Sequence, residues 1–98
     1  MPSSGFTQTY EVGSTKATYV QMTGITTAKT IPKATIGRKI WMQATVQGVR
    51  WRPDGTDPTA TVGMLIPANE TVEYIGNLSD IRVIEATGGA ILNIIIFK

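Results

Sequence analysis

Arg38-Lys39-Ile40-Trp41-Met42-Gln43-Ala44-Thr45-Val46-Gln47 is the stretch that decides the fold. Its alternation puts Ile40, Met42, Ala44 and Val46 on one side and Trp41, Gln43, Thr45 and Gln47 on the other, the period of a strand with one dry face. Beyond Gly48 the alternation resumes in the opposite phase, with Val49 and Trp51 apolar and Arg50 and Arg52 charged. One residue gained at a glycine is what a β-bulge produces, so the sequence predicts a bulge at Gly48. The strand ends at Pro53-Asp54-Gly55, where proline fixes φ and glycine admits a positive φ.

Toward the carboxy terminus, residues 56–70 read as a long connection that encloses the apolar run Val62-Gly63-Met64-Leu65-Ile66 and closes at Pro67-Ala68-Asn69-Glu70. A strand at 71–75 sets Val72 and Tyr74 on one face. Gly76-Asn77-Leu78 turns the chain into 79–86, where Ile81 and Val83 alternate with Arg82. Gly88-Gly89 predicts a tight hairpin between that strand and 90–97. The last strand is apolar on both sides: Ala90, Leu92, Ile94 and Ile96 on one, Ile91, Ile95 and Phe97 on the other, with only Asn93 polar. A strand wet on one face does not read this way, so it is either central between two layers or covered by another subunit.

Toward the amino terminus, residues 25–31 and 16–22 are Thr-rich strand candidates separated by a turn at Thr23-Gly24, and Pro32 confines the former to an edge or an end. Residues 6–12 read as a first short strand or arm after a Pro/Ser/Gly start, and an extended N-terminal arm is expected at about 1–10. No window carries apolar residues at helical spacing between caps. The expectation is a single all-β domain over 1–98, a small antiparallel β-sandwich or barrel of about seven or eight short strands.

Composition agrees, and it excludes much. Thr occurs 15 times and Ile 12 times, both β-branched and stiff at χ1. Histidine and cysteine are absent, which removes His-based triads, thiol nucleophiles, zinc clusters and disulfides. The start Met1-Pro2-Ser3-Ser4-Gly5 lacks a charged region followed by an apolar one, so no secretory leader is expected. The longest apolar run considered as a span, Ile94-Ile95-Ile96-Phe97, is far too short for one, so no membrane is expected. Charged residues make up 16% against a usual quarter, which leaves uncharged polar groups or a partner to cover the surface. Lys16, Lys29, Lys33, Arg38 and Lys39 make the first half basic, but they are dispersed among threonines and read as solvated surface.

Trp51 between Arg50 and Arg52 is the most conspicuous constellation. Arginines beside an aromatic suit bases, a sugar ring or a phosphate; the alternative is that Trp51 fills the core while the arginines point to solvent. Trp41 stands on the polar face of its strand and is a candidate contact residue. Ile91, Ile95 and Phe97 are contact candidates too, because they form the second apolar face of the last strand, which a partner could cover. Asp54-Gly55-Thr56-Asp57 lacks the further oxygen ligands of a calcium loop and reads as a turn, as do the acceptor-like tripeptides at 69–71 and 77–79. Glu70, Glu73, Asp80 and Glu85 have no catalytic companion, so the chain is not expected to be an enzyme, nor to hold a cofactor or metal.

The segment from Val49-Arg50-Trp51-Arg52-Pro53-Asp54-Gly55-Thr56 through Val62-Gly63-Met64 to Gly89-Ala90-Ile91-Leu92-Asn93-Ile94 resembles small virion structural proteins of tailed bacteriophages. The resemblance covers residues 49–98 and not the first 48. It implies a capsid decoration or cement protein on the head surface that bridges capsid subunits, with the major capsid protein and copies of itself as partners. The implied location is the virion, after synthesis in the bacterial cytoplasm. A neck or tail connector or a fibre-associated component is a second reading within that class. From the residues alone, an OB-like single-strand nucleic-acid binder using Trp41, Arg50, Trp51 and Arg52 is a third.

Overall fold

Eight strands make up nearly half of residues 17–98, the part of the chain that this computed structural model describes: β1 (Ala17–Met22), β2 (Lys29–Thr30), β3 (Lys39–Thr45), β4 (Val49–Arg52), β5 (Met64–Ile66), β6 (Thr71–Ile75), β7 (Arg82–Glu85) and β8 (Ile91–Phe97). Two 3-10 turns, Ala34–Ile36 and Leu78–Asp80, complete the elements, and no α-helix occurs among the described residues. The strand expected at 6–12 and the arm at about 1–10 lie outside the described residues.

The pairing has a simple logic. β1 pairs with β8, β2 with β7, β3 with β6 and β4 with β5, all antiparallel. Ala17 faces Phe97, Lys29 faces Val83, Lys39 faces Ile75 and Val49 faces Ile66, so the partners step inward from both ends. The described chain is thus one long hairpin with residues 53–63 at its tip. Rolling that hairpin up adds the pairs β3–β8 and β4–β7. The result is two four-stranded sheets of order β1-β8-β3-β6 and β2-β7-β4-β5. This is the winding of an eight-stranded jelly roll, an all-β sandwich rather than the five-stranded barrel of an OB fold.

Rolling also explains where the sequence misleads. Among consecutive strands only β4 and β5 pair with each other; every other connection crosses from one sheet to the other. Gly88-Gly89 is therefore not a hairpin: β7 and β8 belong to opposite sheets, and Gly89, at φ 94, bends the chain between them. The phase flip at Gly48 is not a bulge either. β3 and β4 lie in different sheets, and the corner is built at Val46, whose φ of 70 permits a tight bond from Gln47 N to Thr45 O, 2.8 Å. Val46 accordingly leaves the inner row of Ile40, Met42 and Ala44 and is exposed. The apolar run at 62–66, expected inside a connection, supplies β5. The candidate at 25–31 shortens to Lys29–Thr30, an edge strand as Pro32 implied, with Ile25 and Ile31 turned into the core.

The core lies between the sheets. Ile40, Met42, Leu92, Ile94 and Ile96 from the first sheet meet Val49, Ile66 and Val83 from the second, all inaccessible to solvent. Each such side chain contributes about 1.5–3 kcal/mol over an exposed one. At one end of the sandwich, Arg38 N donates to Phe97 O at 3.3 Å, and a Cβ on Gly37 would sit 2.6 Å from Ile96 Cγ2. That approach of the chain to β8 is open only to glycine.

Candidate functional site

Alternation along the first sheet leaves one face outside. Register lays it out in rows: Ala17, Phe97, Lys39 and Ile75; then Tyr19, Ile95, Trp41 and Glu73; then Gln21, Asn93, Gln43 and Thr71; and finally Ile91 beside Thr45. Of the seven residues singled out above, this face carries four: Trp41, Ile91, Ile95 and Phe97. β8 is central in its sheet, with Leu92, Ile94 and Ile96 inward and fully buried, while Ile91, Ile95 and Phe97 are half-buried outward.

The other three residues lie elsewhere. Trp51 is 7% exposed and meets Tyr74 edge-on, so it belongs to the core. Arg50 and Arg52 point out of the second sheet and hold the hairpin tip. Arg50 donates to Gly63 O at 3.1 Å and to Ala60 O at 3.4 Å, and Arg52 makes two bonds to the Asp54 carboxylate. Arg52 is paired with Arg82 across the sheet, and Arg82 reaches Asp57 at 3.8 Å. The bonds from Arg52 and from Thr56 N hold the Asp54 carboxyl below the usual aspartate range. All of these arginine contacts lead to the tip or its neighbours.

On the outer face, a second set of bonds fixes the aromatic rings. Trp41 Nε1 donates to Glu73 Oε2 at 2.7 Å, and Lys39 Nζ stands 3.6 Å from the same oxygen. The indole bond first, and then the lysine charge, hold the Glu73 carboxyl below its ordinary value. Lys39 also caps the Phe97 ring, 4.8 Å from its centroid, and Phe97 meets Trp41 edge-on at 5.0 Å. On β1, Tyr19 OH donates to Asn93 Oδ1 at 2.6 Å and Gln21 Nε2 to the same atom at 3.0 Å. Asn93 Nδ2 donates onward to Gln43 Oε1 at 3.4 Å. An amide ladder thus crosses three strands, and between it and the rings lies a shallow pocket of about 330 Å³ lined by Tyr19, Trp41, Gln43, Thr71, Asn93 and Ile95.

The sequence pointed to Trp41 and Ile95 but not to Tyr19, Gln43, Thr71 or Asn93 as neighbours. A wider, open cleft of about 790 Å³ at the end of the sandwich is bordered by Arg38, Lys39 and Lys98 with Asn77 and Ser79. Among the described residues no cluster of three or more Asp or Glu is placed to hold a metal ion, and no helix is long and apolar enough to cross a membrane. No protein-family model, no curated protein and no solved structure matches the chain.

Proposed function

We propose that this chain is a structural component of a tailed-bacteriophage virion, a capsid decoration or cement protein that binds the head surface and bridges its subunits. It works beside copies of itself and without catalysis, and it is incorporated after synthesis in the bacterial cytoplasm. One observation carries the reading more than any other. At the open β5 edge of the second sheet, Val62, Met64 and Leu65 form an apolar strip, 52%, 60% and 45% exposed, with Arg50 beside it on the paired strand. A strip of this kind on a free strand edge suits a permanent protein contact, in which a neighbour covers the apolar side chains and pairs with the edge. The jelly-roll winding is shared with viral capsid domains, which supports the class by analogy of fold. The resemblance of residues 49–98 to virion proteins points the same way. In this proposal the capsid contact falls on the β5 edge, and Trp41, Ile91, Ile95 and Phe97 serve a different contact on the other sheet.

The test uses heads of the encoding phage grown without this gene. Added protein should sediment with them in a fixed ratio to the major capsid protein, and Leu65→Lys should abolish that binding with an unchanged circular dichroism spectrum. Virions that carry no copy of the chain, or heads that bind Leu65→Lys as well as the parent, overturn the proposal.

A further inference from the structure

We infer that the outer face of the first sheet is a binding site for a neutral oligosaccharide. The inference goes beyond the virion reading and does not rest on it. Tyr19 and Trp41 lie in one register row on either side of Ile95, so their backbones are about 10 Å apart at the usual strand spacing. Both rings stand in solvent, Tyr19 at 61% and Trp41 at 42% exposure. The next row supplies side-chain amides from Asn93 and Gln43, with the Thr71 hydroxyl beyond them.

A pyranose ring has an apolar C–H face and a rim of hydroxyls that both donate and accept. The pocket offers the counterpart of each. Aromatic rings and Ile95 form the apolar floor, while amides and a hydroxyl, which also donate and accept, form the polar wall. None of the six lining residues is ionisable near neutral pH, which disfavours a phosphate, an acidic peptide or an amine. The nearest charges, Lys39 and Glu73, are paired with one another.

The groups are also held in place before a ligand arrives. The Tyr19–Asn93 and Trp41–Glu73 bonds fix both rings, which reduces the entropy that binding must remove. Gln43 meets Asn93 through its carbonyl oxygen only, so its amide N–H groups have no acceptor among the described residues. Those donors are directed at the ligand hydroxyls in this proposal.

Tryptophan emission separates the two indoles, because Trp51 is buried and only Trp41 can report on the face. The chain is titrated with maltotriose, cellotriose and triacetylchitotriose, with trigalacturonate as an anionic control. At least one neutral trisaccharide should shift the emission to the blue and saturate, and trigalacturonate should not. Side-chain amide resonances of Gln43 and Asn93 should move in the same titration. Trp41→Ala and Tyr19→Ala, checked for folding by circular dichroism, should abolish the amide shifts. Gln43→Ala should weaken affinity by about two- to tenfold, the loss of one hydrogen bond. No saturable response to any neutral saccharide, or binding that survives Trp41→Ala, overturns the inference.

Discussion

Trp51 and Tyr74 meet edge-on across the interior, with ring centroids 5.7 Å apart and planes at 70°. Trp51 comes from β4 in one sheet and Tyr74 from β6 at the edge of the other, so the contact ties that edge to the opposite layer. Edge-to-face pairs are worth about 0.5–1.5 kcal/mol beyond the area they bury. A double-mutant cycle over Trp51→Leu and Tyr74→Leu, read by urea unfolding, should return a coupling in that range. Trp51→Ala alone should cost about 3–5 kcal/mol, the usual cost of a large cavity in a core. A coupling of zero would mean that the rings do not meet in solution.

Neighbouring residues of β8 should respond in opposite ways to the same substitution. Ile94 is fully buried between the sheets, whereas Ile95 is half-exposed on the outer face. A carboxylate at 94 has no partner there and must either stay charged in an apolar interior or take up a proton. Ile94→Asp should therefore yield an unfolded chain by circular dichroism. Ile95→Asp should fold and melt cooperatively, but it should lose ligand binding at the pocket that it lines. If both variants fold alike, the assignment of the two faces is wrong.

The alternations that specify these faces were legible in the sequence. Ile40, Met42 and Ala44 face inward as their period requires, and so do Leu92, Ile94 and Ile96. The sheet to which each strand belongs was not legible, because turn chemistry reports that the chain bends and not where it goes next. Gly88-Gly89 bends the chain between sheets with the same residue types that would close a hairpin. Val46 shows a related limit: periodicity places it inside, but the corner needs a positive φ at that position and carries it out. The site was half visible. Trp41 stood out on a polar face, while Tyr19, which shares a face with Gln21 just as plainly, was hidden by the threonines around it. Its position beside Ile95 and Trp41 depends on pairing between strands remote in sequence.

Acid should loosen the outer face through one group. The Glu73 carboxyl is held below its ordinary value by the Trp41 indole and by Lys39. A depressed folded-state pKa means stability that is present above the unfolded glutamate value and is lost as pH falls through the folded one. The Glu73 side-chain carbon should therefore titrate below the normal glutamate range in an NMR pH series. Trp41→Phe, which keeps a ring but removes the donor, should move that midpoint up toward the normal value. A midpoint unchanged by Trp41→Phe would show that the indole bond is not the dominant cause.

The arginines of the second sheet should prove to be anchors of the hairpin tip. Arg52 and Arg82 face one another across β4 and β7, a like-charge pair that by itself disfavours the sheet. Asp54 and Asp57 lie in the tip and pair with one arginine each, so the loop supplies the charges that offset the repulsion. Arg50 adds bonds to the carbonyls of Ala60 and Gly63, and Gly55 N donates to Asp80 O at 2.9 Å, which ties the other side of the tip down. Arg50→Gln and Asp57→Asn should therefore leave the core intact while the tip opens more often, since local openings draw on local contacts. Limited proteolysis should cut both variants within residues 53–63 faster than the parent, and amide exchange at Val62 and Gly63 should rise while exchange at Ile94 stays unchanged. Equal cleavage of parent and variants would show that the tip is held by its own turns, such as the bonds between Thr59 and Val62, and not by the arginines beneath it.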